Sequence, residues 1–137
     1  MNGSAFIDSG AFIAFLDRSD RLHAATRALF SRPPRTLWSS VLVFSETYSW
    51  FLHRLGEEPA RSFRGLVAEL PRLRLLELSK GHHGHVLGKL DRLRGTKLTY
   101  VDASSLVWLK AHKIRTVWGT DHHLSIEGAT VVPGSAP

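Results

Sequence analysis

The sequence of 137 residues contains no cysteine. Disulfide bonds and thiolate zinc sites are therefore excluded, and a cysteine-free chain suits a reducing compartment, so we expect a cytoplasmic protein. No apolar run approaches the roughly 20 residues of a membrane-spanning helix, so we expect no membrane partner. The first residues lack the basic region of a signal peptide and lead directly into a strand-like run.

Acidic residues are outnumbered by basic ones. The chain has 12 Asp and Glu against 18 Lys and Arg, a formal net charge of +6 and a pI near 10.3. This balance favours a polyanionic partner, such as RNA, DNA or an acidic protein, but does not choose among them. With 43% hydrophobic residues, the composition predicts one domain, over residues 1–133, followed by a loose tail at 134–137.

Short apolar runs alternate with longer amphipathic segments along the chain. Strands are predicted at 4–7, 36–38, 72–78, 114–120 and 130–132. Helices are predicted at 10–16, 21–30, 40–56, 59–70, 85–93 and 98–113. The alternation predicts an α/β architecture with a mostly parallel central sheet flanked by helices. In such sheets, sites form just beyond the carboxyl ends of the strands.

Four acidic residues stand in unusual surroundings. Asp8 follows the apolar run "AFI", Glu46 lies within "VLVFSETYSWF", Asp102 within "LTYVDASSLVW", and Asp121 follows "TVWGT". Several buried carboxylates repel one another and cannot all stay ionised without a cation. Clustered carboxylate oxygens suit Mg²⁺ or Mn²⁺, which can activate water and neutralise the charge of a phosphodiester. Together the four acids favour a metal site.

Each of these acids also has a purely structural interpretation. Asp8 and Asp121 can cap the helices that follow them, and Asp102 can complete a capping box with Thr99. Glu46 can pair with a buried Arg or His. Taken singly, the structural interpretation is favoured for Asp102 and Asp121, and only the set of four favours a metal ion.

The segments "FIDSGAFIAFLD", "SETY", "LTYVDASSL" and "WGTDHHL", in this order and spacing, resemble PIN-domain ribonucleases. The likeness is greatest to the VapC-type toxins of VapBC toxin–antitoxin modules, and it covers nearly the whole chain. It implies a PIN-like three-layer fold with strand order 3-2-1-4-5. It also implies that the four acids form a catalytic site that binds Mg²⁺ or Mn²⁺, with Ser9 and Thr120 as supporting hydroxyl residues.

The resemblance further implies an activity and partners. The expected protein is a metal-dependent endoribonuclease, the toxin of a type II module, which cleaves structured RNA such as a tRNA or ribosomal RNA loop. A homodimer is expected, as is an antitoxin whose C-terminal segment lies beside the active site. Two alternatives stay open: a non-catalytic RNA- or protein-binding module, and a PIN nuclease of RNA maturation without a toxin role.

Basic and aromatic residues supply weaker signals. The candidates for binding the substrate are Lys89, Arg92, Arg94, Lys97 and His122. The segment "GHHGH" at 81–85 is predicted to be a polar loop leading into a helix. The four tryptophans lie in apolar periodic segments, which favours core or dimer-interface positions over platforms for base stacking.

Overall fold

Five short strands form a single all-parallel sheet in the computed structural model, which describes residues 3–134. The strands are β1 (Ser4–Ile7), β2 (Thr36–Ser40), β3 (Leu73–Leu76), β4 (Thr116–Gly119) and β5 (Thr130–Pro133). The helices are α1 (Ser9–Leu16), α2 (His23–Ser31), α3 (Val41–Arg54), α4 (Glu57–Glu69), α5 (His82–Arg92) and α6 (Tyr100–Ala111), with a 3₁₀ turn at His122–Ser125.

The strand order is β3-β2-β1-β4-β5, which confirms the order expected from the resemblance. Strand β1 is central: Phe6 pairs with Trp38 of β2 and with Val117 of β4, and Ile7 pairs with Trp118. Because parallel neighbours point the same way, the carboxyl ends of β1 and β4 lie side by side. The residues that follow these two strands therefore meet at one edge of the sheet.

Aromatic side chains fill the space between the sheet and the helices. The rings of Phe12 and Phe63 lie 5.2 Å apart in an edge-to-face contact, and those of Phe51 and Phe63 lie 5.7 Å apart. All three side chains are almost completely buried. Burial of such large apolar groups is the main stabilising contribution in a domain of this size, and here it holds α1, α3 and α4 together.

The predicted elements are all present, but several of their ends differ. The sequence leaves the cap of α3 open between Ser39 and Ser40. Ser40 is the cap, and its hydroxyl accepts a hydrogen bond from the Val43 N–H at 3.1 Å. The sequence suggests Asp20 as the cap of a helix that starts at residue 21. Asp20 in fact accepts from the Leu22 N–H at 2.9 Å in a turn before α2, so that helix begins at His23. The strand predicted at 72–78 shrinks to Leu73–Leu76.

The "GHHGH" segment is not a polar loop. Helix α5 begins at His82, whose ring is buried against Trp108 with the ring centres 4.1 Å apart. The Nε2 atom of His82 lies 2.7 Å from the Ser104 hydroxyl. Burial, with a smaller contribution from His85, lowers the pKa of His82 below its usual value. His82 is therefore a packing residue between α5 and α6.

The last described residue, Gly134, is bonded to the end of β4. The Gly134 N–H donates to the Gly119 carbonyl oxygen at 3.0 Å, and the rest of the predicted tail, 135–137, lies outside the described residues. Over residues 3–134, no helix has both the length and the apolar character needed to cross a membrane.

Candidate active site

A cleft of about 550 Å³ opens at the edge of the sheet where β1 and β4 end. All four acids singled out in the sequence line it, as do both supporting hydroxyl residues. Its lining residues are Asp8, Ser9, Gly10, Ile13, Glu46, Ser49, Trp50, His53, Arg54, Thr99, Asp102, Thr120 and Asp121. The fold thus brings together acids that lie up to 113 positions apart in the sequence, between residues 8 and 121.

Asp8 is held in place by the sheet. Its N–H donates to the Trp118 carbonyl oxygen at 2.9 Å, which extends the pairing of β1 and β4 by one residue. Only 4% of the residue is exposed. Among the described residues, its side chain makes no capping hydrogen bond to α1. The structural interpretation of Asp8 as a helix cap is therefore not supported, and the carboxyl group faces the cleft.

Two glycines allow the ends of β1 and β4 to approach closely. A Cβ atom at Gly10 would overlap the Thr120 hydroxyl oxygen. A Cβ atom at Gly119 would lie 3.3 Å from the Cβ of Asp8. A side chain at Gly10 would force Thr120 to move, so glycine allows α1 to dock closely on the end of β4, where Asp8 and Thr120 both line the cleft.

Substitution of Gly10 tests this close approach. We expect Gly10→Ala to lower the free energy of unfolding by about 1–3 kcal/mol, because the new methyl group overpacks the contact with Thr120. Urea unfolding would measure the loss. Gly88→Ala is the matched control: Gly88 lies in α5 with no atom within 4 Å of an added Cβ, so that variant should be slightly more stable. Equal stability of Gly10→Ala and wild type would contradict the packing argument.

Asp102 both caps α6 and faces the cleft. The Thr99 hydroxyl accepts from the Asp102 N–H at 3.1 Å, and the Asp102 carboxylate accepts from the Thr99 N–H at 3.4 Å. The capping box considered from the sequence is therefore confirmed. A carboxylate has about four lone-pair positions, so this cap leaves Asp102 able to bind a cation as well.

Asp121 accepts two hydrogen bonds from one residue, His123. The backbone N–H of His123 lies 2.9 Å from Asp121 Oδ1, and the ring Nδ1 lies 2.7 Å from it. The second ring nitrogen, Nε2, is 3.1 Å from the Thr96 carbonyl oxygen. The bond to Asp121 raises the pKa of His123, because two acceptors favour the imidazolium that donates to both. His122, the predicted substrate contact, is exposed and lies farther from Asp121, at 3.9 Å.

Glu46 differs from its expected environment. The residue is exposed rather than buried, and no Lys, Arg or His of the described chain forms an ion pair with it. Partial burial of its carboxyl group in the cleft raises its pKa. Asp102 and Asp121 raise it further, and a hydrogen bond with the Ser9 side chain opposes them. The alternative of a buried Arg or His partner is therefore not supported.

The electrostatics of the cleft are set by the carboxylates together. The pKa of Asp8 is raised to about 7, first by burial and then by the charges of Glu46, Asp102 and Asp121, while the Ser9 backbone opposes the shift. Within residues 3–134, Asp8 and Asp102 form no ion pair with a basic side chain. Neighbouring carboxylates oppose one another's ionisation, and a divalent cation bound among their oxygen atoms would offset this repulsion.

The basic residues predicted to bind the substrate do not line the cleft. Lys89 is only 4% exposed and forms an ion pair with Glu127 at 2.7 Å, which argues against contact with a substrate phosphate. Arg92 lies 3.6 Å from the same glutamate. Arg94 and Lys97 are exposed but do not line the cleft. The basic side chains that do line it, His53 and Arg54, were missed, although their spacing from Glu46 on one helix could have indicated them.

A second cavity, of about 500 Å³, lies between the end of α6 and the segment before β5. The acid in its lining, Glu127, is already bonded to Lys89. This second cavity therefore has no group of converging carboxylates among its described lining residues. The cleft beyond β1 and β4 is the candidate active site.

The fold and the cleft define an α/β protein with an acidic site at the carboxyl edge of a parallel sheet. The family model of the PIN domain matches residues 5–126, and the chain belongs to this family. No curated protein sequence matches the chain.

Solved structures of toxins and toxin–antitoxin complexes share the fold. The Mycobacterium tuberculosis VapC20 toxin, described as cleaving the sarcin–ricin loop, is 20% identical with a TM-score of 0.85, over 92% of this chain and 96% of that one. A Klebsiella pneumoniae toxin–antitoxin complex is 16% identical with a TM-score of 0.62, over 93% and 95%. VapBC2 from Rickettsia felis, bound to promoter DNA, is 14% identical with a TM-score of 0.65, over 93% and 96%.

Proposed function

We propose that this protein is a Mg²⁺- or Mn²⁺-dependent endoribonuclease and the toxin of a type II toxin–antitoxin module. The observation that carries the proposal is the buried carboxyl group of Asp8, surrounded by three further carboxylates and paired with no basic side chain in the part of the chain described. Membership of the PIN family and the shared fold of known toxins support it.

Asp8 and Asp102 would hold the metal directly, and Glu46 and Asp121 would complete the site directly or through water. A bound divalent ion supplies an activated water molecule and neutralises charge on the phosphodiester. The Ser9 side chain opposes the rise in the pKa of Glu46 and so favours its ionised form, and Thr120 lies against Gly10 where α1 meets the end of β4. Attack of water on phosphorus, with departure of the 3′ oxygen, would leave 5′-phosphate and 3′-hydroxyl ends.

The proposed substrate is structured RNA such as a tRNA or ribosomal RNA loop, because VapC20 is described as cleaving the sarcin–ricin loop. The proposed partner is an antitoxin, which the toxin–antitoxin complexes among the solved structures support. An antitoxin side chain carrying a positive charge would fit the cleft of carboxylates. A homodimer of single PIN domains, over residues 1–133, in the cytoplasm is part of the same proposal.

Incubation of total RNA with the purified full chain tests the activity. We expect cleavage with Mg²⁺ or Mn²⁺ and none with EDTA, and sequencing of the ends should give 5′-phosphates. No cleavage by folded, antitoxin-free protein on RNA that includes its own host's would instead favour a non-catalytic binding module. Growth arrest on expression, relieved by a neighbouring small gene product, separates a toxin from a nuclease of RNA maturation.

Glu46 allows the site to be tested without a change in the fold. We expect Glu46→Gln to slow cleavage by about tenfold or more, since one carboxylate of the metal site is lost. Because Glu46 is exposed, the free energy of unfolding of the Glu46→Gln variant should stay within about 0.5 kcal/mol of the wild-type value. Glu69→Gln, at the exposed end of α4, is the control with the same change of charge. Equal rates for the two variants would remove Glu46 from the site.

A further inference from the structure

One face of α3 forms a wall of the cleft. Glu46, Ser49, Trp50, His53 and Arg54 all line the cleft, at the spacing of three and four residues that places side chains on one side of a helix. With a rise of 1.5 Å per residue, Trp50 lies about 6 Å and Arg54 about 12 Å beyond Glu46 along the helix axis. The wall therefore runs from the acids to an aromatic ring and then to a positive charge.

The ring of Trp50 is anchored on one side and open on another. It makes an edge-to-face contact with the buried Phe51, with ring centres 5.2 Å apart and planes at 89°. The guanidinium carbon of Arg54 lies 5.6 Å from the centre of the Trp50 ring, close to the outer limit of about 6 Å for a cation–π contact. Trp50 is only half-buried, so the ring is held in place yet remains accessible from the cleft.

Arg54 is an available cation. It is exposed, and no carboxylate in residues 3–134 forms an ion pair with it. A polyanionic substrate is repelled by the acids of the cleft, so a positive group at the cleft wall is needed to hold the neighbouring phosphates. The loose contact with Trp50 allows the guanidinium to turn from the ring to a phosphate.

We propose that Trp50 and Arg54 form a nucleotide subsite, in which Trp50 stacks an unpaired base next to the scissile phosphate and Arg54 binds the phosphate of that nucleotide. This inference rests on the proposed function, because it assigns RNA to the cleft. An aromatic side chain can stack on any unpaired base, whereas bases that are paired within a duplex are not available for such stacking. The subsite therefore selects unpaired segments, such as loops, rather than a particular sequence.

Binding of RNA by a cleavage-deficient full chain tests the subsite. In an Asp8→Asn background, the dissociation constant for a short, labelled, single-stranded oligoadenylate would be measured by fluorescence anisotropy over a range of salt concentrations. Adding Trp50→Ala should weaken binding by about tenfold or more, whereas Trp50→Phe, which keeps an aromatic face, should recover most of the loss. Adding Arg54→Ala should weaken binding and reduce the slope of log affinity against log salt by about 0.7, the value for one phosphate contact on a single strand.

Arg74 is the matched control for Arg54. Its guanidinium carbon lies 5.4 Å from the ring centre of Trp38, so the pair has the same chemistry, but neither residue lines the cleft. Arg74→Ala removes the same charge and should leave both the affinity and the salt slope close to those of the parent. Circular dichroism would establish that every variant is folded.

Two outcomes would overturn the inference. One is unchanged RNA affinity in the Trp50→Ala and Arg54→Ala chains, including the case in which only binding of a protein partner falls. The other is an equal loss for Arg54→Ala and Arg74→Ala, which would show a general effect of charge. Because the readout is binding by a cleavage-deficient chain, a wild type that binds RNA but does not cut it would refute the nuclease and leave the subsite standing.

Discussion

Asp8→Asn should abolish RNA cleavage while leaving the fold intact. Replacing the carboxylate by an amide removes the negative charge at the most buried position of the proposed metal site. Metal-ion catalysis supplies several kcal/mol of transition-state stabilisation, and a loss of this size corresponds to a decrease of about 10³-fold or more in rate. Rates of cleavage of total RNA in Mg²⁺ and in Mn²⁺ would measure the effect.

The control for this variant is Asp91→Asn, which makes the same change at an exposed position of α5 that does not line the cleft. We expect it to cleave at the wild-type rate. Full activity of Asp8→Asn would refute the assignment of Asp8 to the metal site. Loss of activity together with loss of secondary structure would show that the residue acts through folding instead.

The metal-free protein should become less stable as the pH rises through the range in which Asp8 titrates. The pKa of Asp8 is about 7 in the folded protein and 3.8 for a carboxyl group in an unfolded chain, so between these values the folded state binds more protons. The contribution of Asp8 to the free energy of unfolding is fully present below about pH 4. It is lost as the pH rises towards and through 7. Linkage sets the size of this loss at about 4 kcal/mol when Asp8 titrates alone.

Comparison with Asp8→Asn isolates this contribution, because other titrating groups, including His123, are common to both chains. In EDTA, the variant should be more stable than wild type at pH 8 and similar to it near pH 4. Adding Mg²⁺ at pH 8 should stabilise wild type and not the variant, because the cation favours the ionised carboxyl group that burial disfavours. Urea unfolding at several pH values would measure these differences, and parallel pH profiles of wild type and variant in EDTA would contradict the argument.

The order of the elements could be predicted from the sequence because it depends on local patterns. Short apolar runs alternate with amphipathic segments, and each strand and α-helix of residues 3–134 is expected at its place in the chain. The ends were less predictable because capping contacts decide them, as at Asp20, which bonds Leu22 in a turn instead of starting α2. The order of strands in the sheet came from the resemblance to PIN domains and is confirmed.

The four acids could also be found from the sequence, because carboxylates in apolar surroundings are costly unless something offsets their charge. The environment of each individual acid could not be found from the sequence. Glu46 has apolar neighbours in sequence but is exposed, since the side of α3 that carries it faces the cleft rather than the core. Asp102 was expected to cap a helix or to face the site, and the geometry allows both.

The sequence by itself determined the class of fold and singled out the set of acids for which a bound cation is proposed. Only the tertiary structure decided which charged and polar side chains are free to act. Lys89 is buried against Glu127, His82 packs on Trp108, and Trp50 with Arg54 faces the cleft. The physical reason is that periodicity specifies which residues share a face of a helix, whereas burial and pairing depend on what packs against that face. Those neighbours come from distant parts of the chain, as Glu127 does for Lys89, 38 positions away.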